Sequence, residues 1–375
     1  MLMTRAILFF LAAVMLGTAA ARAESVLAGL HRHTTIASTV TENGDLNPYA
    51  VVVAPVSAGK IKKGDILVDN FNNQSNLQGT GTTIVIINRD SKSVSLFAKL
   101  PQHLPQCPGG VGLTTAMTML SSGWVIVGST PSTDGTTATK GAGCLLVFDA
   151  NGKLTTVWKG SRINGPWGNM AIIDKGSTAT LFISMSGFDV PGPDKVDPKT
   201  GDPVIVNKAI VLRVDLAISP GAPPKVTGQT IIGSGFGQRA DKDAFLIGPT
   251  GLALIGNTLY VSDAVENRIV AIPDAPTRKD SAGTGRTVTK DGLLQRPLAL
   301  TVTGNGHILS TNAKNGQVVE FDPASGKQLG AQWINTNQAQ SPPGNGNLFG
   351  LAMAPDGKSF YSVQDDVNTL LEAAP

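Results

Sequence analysis

Gly248-Pro249-Thr250-Gly251-Leu252-Ala253-Leu254 runs into the turn Gly256-Asn257, then Leu259-Tyr260-Val261-Ser262-Asp263, then Asn267-Arg268-Ile269-Val270-Ala271-Ile272. A turn of Gly, Pro and Asn leads into a short apolar strand, a hairpin and a second strand, and the order repeats. Fainter copies begin near Asn47, Pro108, Asn164, Gln295 and Asn347. Units of this size read as blades of a β-propeller, each a small sheet that cannot bury its own faces alone. The expected fold is therefore all-β, a six-bladed β-propeller.

The last copy ends one strand short. The segment His33-Thr34-Thr35-Ile36-Ala37-Ser38-Thr39-Val40 precedes the first blade and belongs to no repeat. It is expected to become the outer strand of the last blade, so that an N-terminal strand closes the ring and removes an unpaired sheet edge. Residues 187–209, between the third and fourth copies, are rich in Pro, Gly and Asp and read as an insertion rather than a seventh blade.

The N-terminus reads as a processing segment. Arg5 precedes an apolar run over residues 6–16, and Ala21-Arg22-Ala23 offers a small-x-small cleavage pattern, so residues 1–23 are expected to be a signal peptide and residues 24–375 a single propeller domain. The apolar run is shorter than the roughly 18 residues of a spanning helix. The expectation is an exported protein, periplasmic or secreted, without a membrane span, and a monomer. Removing residues 1–23 takes Arg5 and Arg22 and no acid, which lowers the formal charge from +3 to about +1. No basic run remains, so no nucleic-acid partner is expected on electrostatic grounds. Charged residues are 15% of the chain and Gly numbers 43, a balance that suits many tight turns.

Cys107 and Cys144 are the two cysteines, and an exported chain meets an oxidising compartment. Both fall at the same end of the second blade, which makes a disulfide the favoured reading and two independent buried thiols the alternative. A bridge closing about 37 residues contributes about 3–4 kcal/mol in the chain-entropy model.

The stretch 248–272 resembles the NHL-repeat family: Pro-x-Gly-Leu-Ala, a Gly turn, Leu-Tyr-Val-Ser-Asp and Asn-x-Arg-Ile follow its usual pattern. The match is close in this blade, moderate over residues 295–321 and limited to strand order elsewhere. The resemblance implies a six-bladed propeller with a ligand or partner face at one end of the central channel, and the family includes binding scaffolds as well as enzymes.

On that face, three consecutive blades enlarge the loop between second and third strands, over residues 70–82, 129–143 and 187–209. Long loops of this kind tend to be functional or mobile. The innermost strands begin with Asn47, Asn164, Trp167, Asn169 and Asn347, and the second strands end with Asp69, Asn70, Asp263 and Asn312. These nine residues are the candidate binding set. Oxygens converging on an axis suit Ca²⁺; the competing reading is that Asx side chains serve the local backbone of turns. No cofactor is otherwise indicated. The chain is also similar to the gluconolactonase-like sugar lactonases, but no carboxylate stands where that resemblance places metal-binding acids, at Pro48-Tyr49, Gly109-Gly110, Pro166-Trp167, Pro249-Thr250, Pro297-Leu298 and Leu348-Phe349. The four histidines lack zinc-site spacing, and no Gly-x-Ser-x-Gly elbow appears. The leading expectation is an exported binding protein that takes a protein, peptide or small-molecule ligand through the loops of blades one to three. The alternatives are a divalent-metal-dependent hydrolase or lyase working at the channel mouth, and a structural module of the cell envelope.

Overall fold

The computed structural model describes residues 25–375, so the expected signal peptide lies outside the described residues. Six antiparallel sheets stand in a ring, and the innermost strand of each packs against those of its neighbours. Blade one comprises β2 (Leu46–Val53), β3 (Ile66–Asn72), β4 (Thr83–Ile87) and β5 (Val94–Lys99). Blade two comprises β6 (Leu113–Met119), β7 (Val125–Ser129), β8 (Cys144–Phe148) and β9 (Leu154–Trp158). Blade four is β15 (Pro249–Ile255), β16 (Thr258–Asp263), β17 (Arg268–Ile272) and β18 (Arg286–Lys290). Blade five is β19 (Pro297–Val302), β20 (Ile308–Asn312), β21 (Gln317–Phe321) and β22 (Gln328–Trp333).

Burial follows position within the blade. Every residue of β3 is buried, because neighbouring blades cover both faces of a second strand, whereas β5 at the rim is largely exposed. The second strands also carry the polar groups that join blades. Ser262 Oγ accepts from Gly251 N (2.7 Å) and donates to Leu298 O of the next blade (2.5 Å). Thr311 Oγ1 likewise accepts from Ala299 N (3.0 Å) and donates to Phe349 O (3.1 Å). In blade one the same place is held by Asp69, whose Oδ1 accepts from Ala50 N at 2.8 Å. Burial pushes its carboxyl up to about 8, and its second oxygen, Oδ2, reaches no partner among the described residues, so Asp69 keeps the acceptor half of the serine and threonine pattern without the link to the next blade.

Blade six is β23 (Leu348–Met353), β24 (Phe360–Gln364), β25 (Thr369–Ala374) and, outermost, β1 (Arg32–Ser38). The N-terminal strand pairs antiparallel with β25, His33 opposite Ala373 and Ser38 opposite Thr369, as its orphan status in the repeat had suggested. Ahead of β1 the chain is anchored to blade five. The buried Glu320 carboxylate accepts from Ser25 Oγ (2.7 Å), Val26 N (3.1 Å) and Leu27 N (2.9 Å). The same carboxylate lies 2.6 Å from His307 Nδ1.

Blade three departs from the expected pattern. It contains β10 (Pro166–Asp174), β11 (Thr178–Met185), β12 (Val206–Ala217), the 17-residue β13 (Lys225–Asp241) and a fifth strand, β14 (Phe245–Ile247). The extra length between the third and fourth repeats is therefore shared between the 186–205 loop and a long hairpin, β13–β14, that overhangs the channel. In blade one, β3 continues through Asn72, so Asn70 is a strand residue rather than the start of a loop.

Candidate functional site

The mouth of the channel is closed by aromatic side chains. Tyr49, at the start of β2, is stacked between Phe71 (4.4 Å between ring centroids) and Phe349 (4.1 Å). Trp167 meets Tyr49 and Phe71 edge-on, and Phe245 of β14 packs on both Phe71 and Trp167. Each of these rings is at most 3% exposed. Trp167 thus lies beneath the β13–β14 hairpin and is not at an open mouth. Phe245 holds φ +63°, a conformation L residues other than Asn and Asp seldom adopt. Fixed points on several blades hold the hairpin in place. Arg296 Nη1 of blade five lies 2.9 Å from Asp241, and Gln78 Nε2 of blade one donates to Lys242 O at 2.9 Å.

The three enlarged loops form one continuous surface beside this cap. Ser132 N donates to Gly79 O (2.8 Å), joining the loops of blades one and two. Thr137 Oγ1 donates to Pro191 O (3.0 Å), joining those of blades two and three. Cys107 and Cys144 form a disulfide with Cα atoms 5.3 Å apart, which fastens the 130–143 loop to the connection ahead of blade two. Lys140 sits within this surface, its Nζ donating to Gly141 O and Asn164 Oδ1 at 2.9 Å each. Burial lowers its ammonium to about 8, with Asp189 opposing that shift.

The candidate residues do not converge as one ring. Asn164 is engaged by Lys140 at the loop surface. Asn169 reaches across the channel, donating to Leu252 O (2.8 Å) and Leu300 O (3.0 Å) and accepting from Leu300 N (3.0 Å), so it stitches blades three, four and five together. Asp263 pairs with Arg268 at 2.9 Å; burial raises its carboxyl and Arg268 offsets part of that rise. Asn312 accepts from Gln295 N and donates to Leu293 O. Asn47 stands beside the Tyr49 hydroxyl, whose ionisation burial pushes far up. Asp69 Oδ2, Asn70 Oδ1 and Asn347 Nδ2 are buried without a protein partner among the described residues.

The two carboxylates of the ring differ in setting: Asp69 accepts from Ala50 N and keeps a buried, unpartnered Oδ2, whereas Asp263 is paired with Arg268 and has no free charge to offer a calcium ion. Among the described residues no three His, Cys, Asp or Glu side chains are grouped to hold a metal. At the far end the channel opens into a cavity of about 330 Å³ walled largely by apolar residues, among them Val51, Ala171, Leu252, Leu254, Val302 and Met353.

The hairpin cap and the Arg296 contact escaped the sequence reading. A three-residue strand running into the next innermost strand leaves no separate pattern, and the one available signal was the Gly-rich stretch 233–237, which has the spacing of neither a phosphate loop nor a hairpin turn.

No protein-family model and no curated protein matches the sequence of this chain. Its fold matches solved structures at low identity. A gluconolactonase from Xanthomonas campestris is 13% identical over 93% of this chain and 92% of its own, with a TM-score of 0.56. A luciferin-regenerating enzyme is 11% identical over 90% and 94%, at 0.52. Regucalcin, a calcium-binding protein from Agrobacterium tumefaciens, is 15% identical over 90% and 94%, at 0.50. The shared feature is the six-bladed propeller.

Proposed function

We propose that this chain is an exported binding protein whose recognition surface is the mouth face, formed by the loops of blades one to three and the β13–β14 hairpin. The observation that carries this reading is the construction of that face. Three loops are bonded to one another, one is fastened by a disulfide, and the channel beside them is sealed by buried aromatic rings. The aromatic rings close the channel at this mouth, and preorganised loops lower the ordering cost of binding. The disulfide accords with export to an oxidising compartment, and among the described residues no helix is long and apolar enough to cross a membrane.

A thermal-shift screen of small metabolites and peptides tests this reading on three proteins: wild type, a variant with residues 186–205 replaced by a short turn, and a far-face variant altered in the 303–306 turn. Ligands that stabilise wild type and the far-face variant, but not the loop variant, support it. Ligands indifferent to the loop place recognition elsewhere.

The likeness of fold to a gluconolactonase and to calcium-binding regucalcin supports, more than it does the binding reading, a second one: a divalent-metal-dependent hydrolase or lyase at the channel mouth. It predicts a tightly held ion in the purified protein, a melting temperature lowered by chelator and turnover of lactones.

A further inference from the structure

Beside the hairpin, on the mouth face, lies a cleft of about 400 Å³ between the blade-three loop, the turns joining second and third strands in blades four and five, and the connection entering blade five. Its lining is of two kinds. Ile205, Ile247, Ala264 and Val265 form an apolar wall, and Arg239, Arg296 and Lys314 bring positive charge.

The two arginines are not ordinary surface groups. Their side chains are only 14% exposed, and both guanidinium groups rest on one carboxylate, Asp241, at 3.4 Å from Arg239 and 2.9 Å from Arg296. Asp241 is itself shared: its Oδ1 accepts from Asp243 N and Ala244 N at 3.1 Å each. Burial disfavours the Arg296 charge, and Asp241, with Asp243 beyond it, offsets part of that cost; a ligand carboxylate meeting both guanidinium groups would offset more. Asp202, an exposed residue at the rim, is the acid in the lining.

The backbone supplies a second, independent observation. The residues just before the innermost-strand prolines of blades one, three and five are Asn47, Gly165 and Arg296, with φ of 61°, 62° and 60°. Glycine takes this left-handed conformation freely and asparagine at small cost. Arginine has no such allowance, and strain of this kind clusters where a side chain is needed for function. Arg296 is held in place by Asn267 Oδ1, which accepts its N–H at 2.8 Å, and by Asp241.

We infer that this cleft is a binding site for a small carboxylic acid with a compact apolar body: the Arg239–Arg296 pair takes the carboxylate and the Ile205–Ile247–Val265 wall takes the body. Guanidinium groups match a carboxylate in two-point geometry, and the volume suits a small ligand. The inference rests on the reading of the mouth face as a recognition surface and names the chemistry of one part of it.

Calorimetric titration of the mature chain with benzoate, benzamide and acetate tests it. Benzoate is expected to bind saturably. Benzamide, without the charge, and acetate, without the apolar body, should each bind at least tenfold more weakly. Arg296→Gly removes the guanidinium and the backbone strain together, so it should keep a cooperative melt and lose at least tenfold in benzoate affinity, while Ile205→Ser should lose several-fold. Should Arg296→Gly fail to fold, Arg239→Gln carries the same expectation. Absence of benzoate binding to wild type, equal binding of benzamide, or a folded arginine variant with unchanged affinity would each overturn the assignment. Benzoate binding in a protein whose screened ligands ignore the 186–205 loop would uphold the cleft and reject the wider recognition surface. Loop-dependent ligands without benzoate binding would do the reverse.

Discussion

Asp69 shows how one residue can keep a repeat's geometry with different chemistry. It stands where Ser262 and Thr311 stand in their blades, and each of the three accepts the N–H two residues beyond the innermost-strand proline. Burial disfavours the charged carboxylate, the Ala50 N–H offsets part of that, and the value rises from 3.8 to about 8. The sign of the linkage follows. Between these limits the unfolded chain is deprotonated and the folded chain is not, so the contribution of this group is complete below about pH 4 and is lost as pH rises towards 8. The slope is at most about 1.4 kcal/mol per pH unit. Asp69→Ser should therefore be more stable than wild type at pH 7.5 and show a flatter dependence between pH 4 and 8 in urea melts. Equal slopes in the two proteins would reject the protonated acid. Lys140 offers a second residue-scale test. Burial lowers its ammonium to about 8, against 10.5 for an ordinary lysine. NMR of lysine labelled at the ε-carbon should show one resonance titrating near 8, missing in Lys140→Gln; titration of every resonance near 10.5 would contradict the placement of Nζ.

At the level of elements, the strands that were legible and the strand that was not differ in one respect. Strands β15 to β17 stand out because turns of Gly and Asn bracket apolar runs of regular length, and β1 because a β-branched run was left over when the repeats were counted. Strand β14 is three residues long, pairs with the end of a 17-residue partner and meets Pro249 after a single glycine, so neither length nor punctuation separates it. Two predictions belong here. Removing residues 25–41 strips β25 of its outer partner and leaves the Glu320 carboxylate without Ser25, Val26 and Leu27. Each hydrogen bond lost to that buried carboxylate costs about 1.5–3 kcal/mol, so stability should fall by several kcal/mol, with self-association through the bared edge. A monomer with unchanged melting would contradict ring closure by β1. Phe245→Ala empties the aromatic seal and should cost about 3–5 kcal/mol, since alanine bears the same positive-φ strain as phenylalanine. Amide exchange over residues 167–169 should quicken with it; exchange as slow as in wild type would mean that the hairpin does not seal the mouth.

For the whole molecule, the ring, its closure and the disulfide could be read from the sequence because each depends on order and spacing along the chain. The site was read less well, and the reason is physical. Asn and Asp at the ends of strands do collect near a propeller's axis, but backbone groups compete for them, and Asn169, Asp263 and Asn312 are consumed by bonds to neighbouring strands or to Arg268. Arg296, by contrast, looks like an unremarkable surface arginine until its backbone angle and its shared carboxylate are known. What the assembled molecule presents is a sealed channel beside a bonded set of loops, and recognition by that face is the central claim. Hydrogen exchange of the mature protein, with and without a ligand that stabilises it in the thermal-shift screen, tests the claim most directly. Protection is expected over residues 130–143, 186–205 and 240–247, with none in the 303–306 turn of the far face. Protection confined to the far-end cavity, over residues 251–255 and 300–302, would contradict it.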